Sequence, residues 1–277
     1  MIKGMADSSN QQIDPVQPGG ALPDPEVDQP QILTPVSADE HARVRNRVRN
    51  RNLIVAVAAI AAVGWTYKHY TDPIHAQDAL DAGDRQLKSG QYQQAILLFD
   101  QALSYHPDLP EAYQQRGRAS IAMAKPKDAI PDFTHYIALR PQDPIGYIDR
   151  ARAHLAYEDF AAALEDAEQA VQKGPELGTA YQLRGIALRR AGKMAEALAD
   201  FDKAVSLAPE MANYYERGAT YQELGRDAEA IVDFTEVIKF DVSNAQAFHA
   251  RAKSHRSRGE IAQAEADHLE GSRLDGR

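Results

Sequence analysis

The chain has 277 residues, is 44% hydrophobic and 26% charged, and carries a formal net charge of -9. That acidic balance argues against a nucleic-acid binder, which needs a basic footprint. With no cysteine in the sequence, disulfides, thiolate zinc sites and cysteine nucleophiles are excluded. The same absence fits an oxidising compartment as well as a reducing one.

Residues 1–42 form the first region. Pro15, Pro18, Pro23, Pro25, Pro30 and Pro35 lie there, and residues 1–40 set Lys3 against Asp7, Asp14, Asp24, Glu26, Asp28, Asp39 and Glu40. So acidic and proline-rich a stretch cannot bury enough apolar surface to offset its ordering entropy, and it is expected to be disordered. It serves either as a docking tail or as a solvated leader.

A basic flank follows over residues 43–52, with Arg43, Arg45, Arg47, Arg49 and Arg51 at every second position. Leu53 to Tyr67 then reads LIVAVAAIAAVGWTY, without a charge. Fifteen helical residues span about 23 Å at ~1.5 Å each, against a bilayer core about 30 Å thick. Arg51, Asn52 and Lys68 can extend the span by snorkelling, and Trp65, Tyr67 and Tyr70 suit the far interface. Residues 53–70 are therefore expected to be an uncleaved transmembrane signal-anchor. A cleaved signal peptide would need a shorter leader and a better A-x-A-like site than Ile74-His75-Ala76. A buried core helix would leave the five arginines without a reason to abut it. For an anchor, the arginine bias keeps the N-terminus in the cytosol and everything after Lys68 on the other side.

From Ala76 a period of 34 residues runs to the end of the chain. Its clearest mark is a series of helix openings: Tyr113…Arg116-Gly117, Tyr147…Arg150-Ala151, Tyr181…Arg184-Gly185, Tyr214…Arg217-Gly218 and Phe248…Arg251-Ala252. An alanine follows twelve residues after the small residue, with an aromatic often four beyond it, as in Ala95/Phe99, Ala129/Phe133, Ala197/Phe201 and Ala230/Phe234. Pro107, Pro141, Pro175 and Pro209 close the units. Five repeats carry Arg at position 7 and Asp at position 23 (Arg116/Asp132, Arg150/Asp166, Arg184/Asp200, Arg217/Asp233, Arg251/Asp267), whereas the first has Ala82 and Leu98. Joint presence and joint absence predict an ion pair between the two helices of one repeat. Pro131, inside the second helix of its unit, predicts a distorted first turn or a kink.

This pattern resembles the tetratricopeptide repeat family over residues 76–277. The units are 76–109, 110–143, 144–177, 178–210, 211–244 and 245–277; the fourth is one residue short, Val242 replaces the closing proline of the fifth, and His268 stands at the sixth unit's aromatic position. The resemblance implies an all-α fold: a right-handed solenoid of helix-turn-helix repeats, behind the transmembrane helix and the disordered tail. One unit cannot bury its apolar face alone, so neighbours must stack.

The family's concave surface is lined by first-helix positions 2, 5, 6, 9, 12 and 13. Carried over, the candidate groove is Arg118, Ile121, Ile148, Arg152, Leu155, Leu183, Ile186, Arg189, Arg190 and Tyr215, with Asp81 and Asp84 at one end and Glu216 and Glu223 at the other. A basic stripe among apolar side chains suits an acidic or amphipathic peptide segment of a protein partner. Solvated helix faces are the plainer reading of the same residues. A chaperone-tail clamp is disfavoured, because the first helices of repeats 1 to 3 contain no asparagine.

No phosphate loop, dinucleotide fingerprint or HExxH motif occurs. His249, His255 and His268 are not spaced as ligands on one helix face. No enzyme, cofactor or metal is expected. The expected function is a membrane-anchored interaction scaffold in a bacterial inner membrane, with its repeats in the periplasm. The alternative is a targeting or import-type receptor with its repeats in the cytosol.

Overall fold

A computed structural model describes residues 37–276, apart from the side chains of residues 67–71. Most of the region expected to be disordered, residues 1–36, lies outside the described residues. The chain divides into two compact units, residues 1–61 and 62–277. Among the described residues there are twelve helices and no strand.

Helix α1 spans Ala38–Lys88. Its start corrects the expected tail boundary of residue 42. Ser37 accepts the Glu40 amide on its Oγ at 3.2 Å, and Asp39 and Glu40 place carboxylates in the first turn. Both features favour a helix N-terminus. The residues between the expected anchor and the first repeat, 71–75, are helical too. Pro73 lies inside α1 and forgoes one backbone bond there. Leu53, Ile54, Val55, Val57, Ile60, Val63 and Trp65 are all exposed, which removes the buried-helix reading of this run. No helix stretch among the described residues is long and apolar enough to cross a membrane.

The end of α1 pairs with α2 (Tyr92–Tyr105). Five further pairs follow: α3 (Pro110–Ala122) with α4 (Pro126–Leu139), α5 (Pro144–Ala156) with α6 (Phe160–Lys173), α7 (Gly178–Arg190) with α8 (Met194–Leu207), α9 (Met211–Glu223) with α10 (Asp227–Phe240), and α11 (Ala245–Ser257) with α12 (Ile261–Asp275). From α2 onward each helix packs on the next, and the first helices α3, α5, α7, α9 and α11 also touch in succession. The result is an all-α repeat solenoid.

The turns show why the period recurs. At position 15 of each unit one residue has positive φ: Gly90, Ala124, Glu158, Gly192, Gly225 and Gly259. The following amide reaches back five residues, as in Gln91 to Gln86 and Lys193 to Leu188, both at 2.9 Å. This left-handed cap ends the first helix and launches the second. Proline opens α3, α4 and α5 at positions where its missing N–H costs nothing. In α4 the cap carbonyl of Lys125 is reached from Asp128, three residues on, whereas the other second helices use the residue four on, as in Ala95 to Gln91. Helix α4 continues unbroken through Pro131, so the expected distortion is confined to that tightened first turn.

Within each pair, small residues set the spacing. Ala95, Ala129, Ala163, Ala197, Ala230 and Ala264 are all fully buried. Phe99, Phe133, Phe201 and Phe234 are buried against glycines of the first helix. A Cβ on Gly83 would stand 2.4 Å from Phe99, and one on Gly117 2.7 Å from Phe133. Where the glycine is replaced by Ala151 or Ala252, the aromatic disappears too, becoming Ala167 or the exposed His268. Between repeats the exchange runs the other way. Tyr136 presses its ring on Gly146 of the next unit and donates its hydroxyl to Asp143 at 2.6 Å.

The Arg–Asp pairs form as the sequence predicts. Each arginine donates Nε and one terminal amine to both carboxylate oxygens of its partner, at 2.6 to 3.0 Å. The five aspartates are buried and the arginines mostly so. The carboxylate bonds hold Arg116, Arg150, Arg184 and Arg217 above the ordinary guanidinium range, against the opposing effect of burial.

The other terminal amine reaches backwards, to position 25 of the preceding repeat. Arg116 bonds Asp100, Arg150 bonds Thr134, Arg217 bonds Asp202 and Arg251 bonds Thr235, all at 2.5 to 3.0 Å. At the fourth repeat the corresponding residue is Glu168, whose charge acts on Arg184. One arginine thus ties its own two helices together and its repeat to the one before.

Candidate protein-binding groove

The first helices meet along one side of the stack, and the ten candidate groove residues lie on them. The structure divides these residues into three sets. Ile148 and Leu183 are buried in a core cluster with Ala151, Ala167, Ala170 and Ala180. Their apolar surface already serves repeat packing. Ile121, Leu155 and Ile186 are partly buried against neighbouring clusters.

Charge is organised around acids. Asp149, 3% exposed, takes two bonds from Arg118 at 3.0 and 2.8 Å and one from the Gln114 amide at 2.8 Å. Arg152 approaches its other oxygen at only 3.5 Å and remains half exposed. Further along, Arg189 donates to Glu216 at 2.5 Å and to Glu223 at 2.9 Å. Burial pushes the Glu216 carboxyl up, and Arg189 and Arg190 partly offset this. Burial and the Glu216 charge raise the Tyr215 phenol. Arg189, Arg190 and Glu223 line a hollow of about 360 Å³. Arg190 is exposed, with its guanidinium over the Phe160 ring at 5.6 Å. Arg189 Nε is buried without an acceptor among the described residues.

The structure therefore gathers Arg118 with Arg152, and Arg189 with Arg190 and Tyr215. Arg118 and Arg189 are largely spent on cross-repeat pairs. Arg152 and Arg190 are the arginines turned outward. Asp149 stands at position 6 of its unit, where the first repeat has Asp81 and the fifth Glu216; it was missed because the middle repeats drew attention to their basic and apolar residues alone. Among the described residues no group of acids and histidines is placed to hold a metal ion.

The tetratricopeptide repeat profile matches residues 80–144 and 148–212, and a second profile of the same description matches 212–242. No curated protein matches by sequence. Solved structures with the same fold include the Cut9–Hcn1 hetero-tetramer of the APC/C, at 16% identity and TM-score 0.67 over 74% of this chain and 41% of that one. Pseudomonas aeruginosa PilF matches at 16% identity and TM-score 0.65, over 74% and 93% of the two chains. YrrB, described as a TPR protein with an unusual peptide-binding site, matches at 18% identity and TM-score 0.51, over 64% and 91%. Identities this low carry the fold and nothing more. The profile matches run in register with the helix pairs, the glycine-seated phenylalanines and the left-handed turns, and the chain belongs to the tetratricopeptide repeat family.

Proposed function

We propose that this protein is a membrane-anchored interaction scaffold of a bacterial inner membrane, with a cytoplasmic N-terminus and periplasmic repeats. Tetratricopeptide repeats are protein-interaction modules, and no catalytic constellation stands out on these. The carrying observation is the side of the stack where the first helices meet. There Arg152 and Arg190 face outward, Arg190 beside a hollow that Arg189 and Glu223 also line. Backbone carbonyls and carboxylates of an extended or helical protein segment would satisfy these donors.

Anchoring draws on α1. Seven large apolar side chains stand exposed between Leu53 and Trp65, behind a flank of five arginines. So much contiguous apolar surface calls for cover, and a bilayer supplies it if the span continues to residue 70. Fusing a periplasm-only or a cytosol-only reporter to Arg277 and fractionating bacterial cells tests this. A membrane-bound product with the periplasmic reporter active is expected. A cytosolic signal would instead support the receptor arrangement, and a soluble periplasmic product would mean that the leader is cleaved.

The groove has its own test. Arg152→Glu with Arg190→Glu is expected to cut partner capture at least ten-fold while leaving the helical circular dichroism unchanged. Undiminished capture would move the binding face elsewhere. Arg118 and Arg189 are poor targets, since reversing either sets a new carboxylate against Asp149 or Glu216.

A further inference from the structure

The arginine ladder ends in a specific way at both ends of the stack. At four of the five interior junctions three positions meet through bonds, the acceptor at 25 of one repeat and the Arg at 7 with the Asp at 23 of the next; at the remaining one Glu168 acts on Arg184 through its charge. The first repeat has no predecessor, and it carries Ala82 and Leu98 in place of the Arg and Asp. The sixth is the last repeat in the sequence, and it carries Leu269 where the others have Asp100, Thr134, Glu168, Asp202 and Thr235. All three polar positions have become apolar, and only at the ends.

A terminal repeat that faces solvent is expected to turn polar on its open side. At these three positions the reverse holds. Leu269 is 73% exposed. At the other end, Ala79, Ala82 and Leu98 line a depression of about 240 Å³, rimmed by His75, Asp78, Gln101 and Tyr105. Positions 3 and 7 of a unit are those that meet the preceding repeat inside the stack, as Gly146 meets Tyr136 and Arg116 meets Asp100. The depression is thus the seat that a preceding repeat would occupy.

We propose that the open ends bind each other: the sixth repeat of one copy stacks on the first repeat of a second copy, with Leu269 entering the depression beside Ala82 and Leu98. The junction continues the repeat-to-repeat interface made five times within the chain, with a dry apolar triad in place of the ion-paired one. Such a head-to-tail contact uses two different surfaces, so it leaves one of each free and propagates as an open chain of copies. It is independent of what the groove binds and of whether α1 enters a membrane.

The cysteine-free sequence makes the test clean. Full-length Ala82→Cys and Leu269→Cys proteins, purified in mild detergent, are mixed and treated with a short bismaleimide. A disulfide is too short a probe, because the interior junctions are spanned by an arginine side chain. Dimers joining the two variants in the mixture, with little product from either alone, are the expected result. Sedimentation of the unmodified protein should show species growing with concentration. Leu269→Asp should weaken that growth about ten-fold or more. Adding Ala82→Arg and Leu98→Asp should restore it, by rebuilding the interior triad. A protein that stays monomeric, cross-links only between like variants, or associates equally well with Leu269→Asp overturns the proposal.

Discussion

Arg184 and Asp200 illustrate how a charge can be needed only because its partner is there. The pair is two-pronged and mostly buried, so removing one member strands the other. Asp200→Leu alone is expected to cost about 2–3 kcal/mol, somewhat below the range for fully buried pairs. The double change Arg184→Ala with Asp200→Leu copies the first repeat, where Ala82 and Leu98 fold without charge. It should cost clearly less than Asp200→Leu alone, and thermal denaturation of the four proteins in a double-mutant cycle measures the coupling. This pair was legible in the sequence because both members came and went together. The backward reach to position 25 was not. It runs to Asp100, Thr134, Asp202 and Thr235, with Glu168 at the corresponding place in the third repeat, and residues sharing only an oxygen do not stand out when repeats are compared by identity.

At the scale of the element, the turn between paired helices is the most uniform feature, yet two units depart from it. Ala124 and Glu158 hold φ of 57° and 63°, where the other four units have glycine. A side chain in the left-handed region costs about 1 kcal/mol, part of which glycine returns through its freer unfolded chain. Ala124→Gly and Glu158→Gly should each stabilise by roughly 0.5–1 kcal/mol, and Gly192→Ala should destabilise by a similar amount. Chemical denaturation midpoints at constant slope decide the matter. Helix pairing was legible because the 34-residue period repeats six times. The start of α1 was not, because its Ser37 cap occurs once, beside a proline-rich stretch that reads as unstructured. First-helix positions collect Arg118 with Arg152 around Asp149, and Arg189 with Arg190 around one hollow, but two of the residues they nominate, Ile148 and Leu183, serve the core.

Taken as a whole, the repeats form a line in which each unit touches only its neighbours, so stability is a sum of units and junctions. Interior units have two junctions and end units one. Backbone amides of α5 through α8 should therefore exchange more slowly than those of α2 and α12. Hydrogen exchange followed by mass spectrometry reads this directly, and uniform protection along the stack would show that all six repeats open together.

The backward-reaching arginines also decide which changes in repeat number the molecule can absorb. Each interior unit carries a donor for the unit before it and an acceptor for the unit after it, so interior units are interchangeable parts. Cutting out residues 178–210 would bring Arg217 up to Glu168, another oxygen acceptor, and the line would close again. Duplicating that unit would insert a matched donor and acceptor together. The first and last units lack this property, since each holds only one half of the link. Growth and shrinkage of the array are thereby confined to its middle, and the two ends stay the same whatever its length.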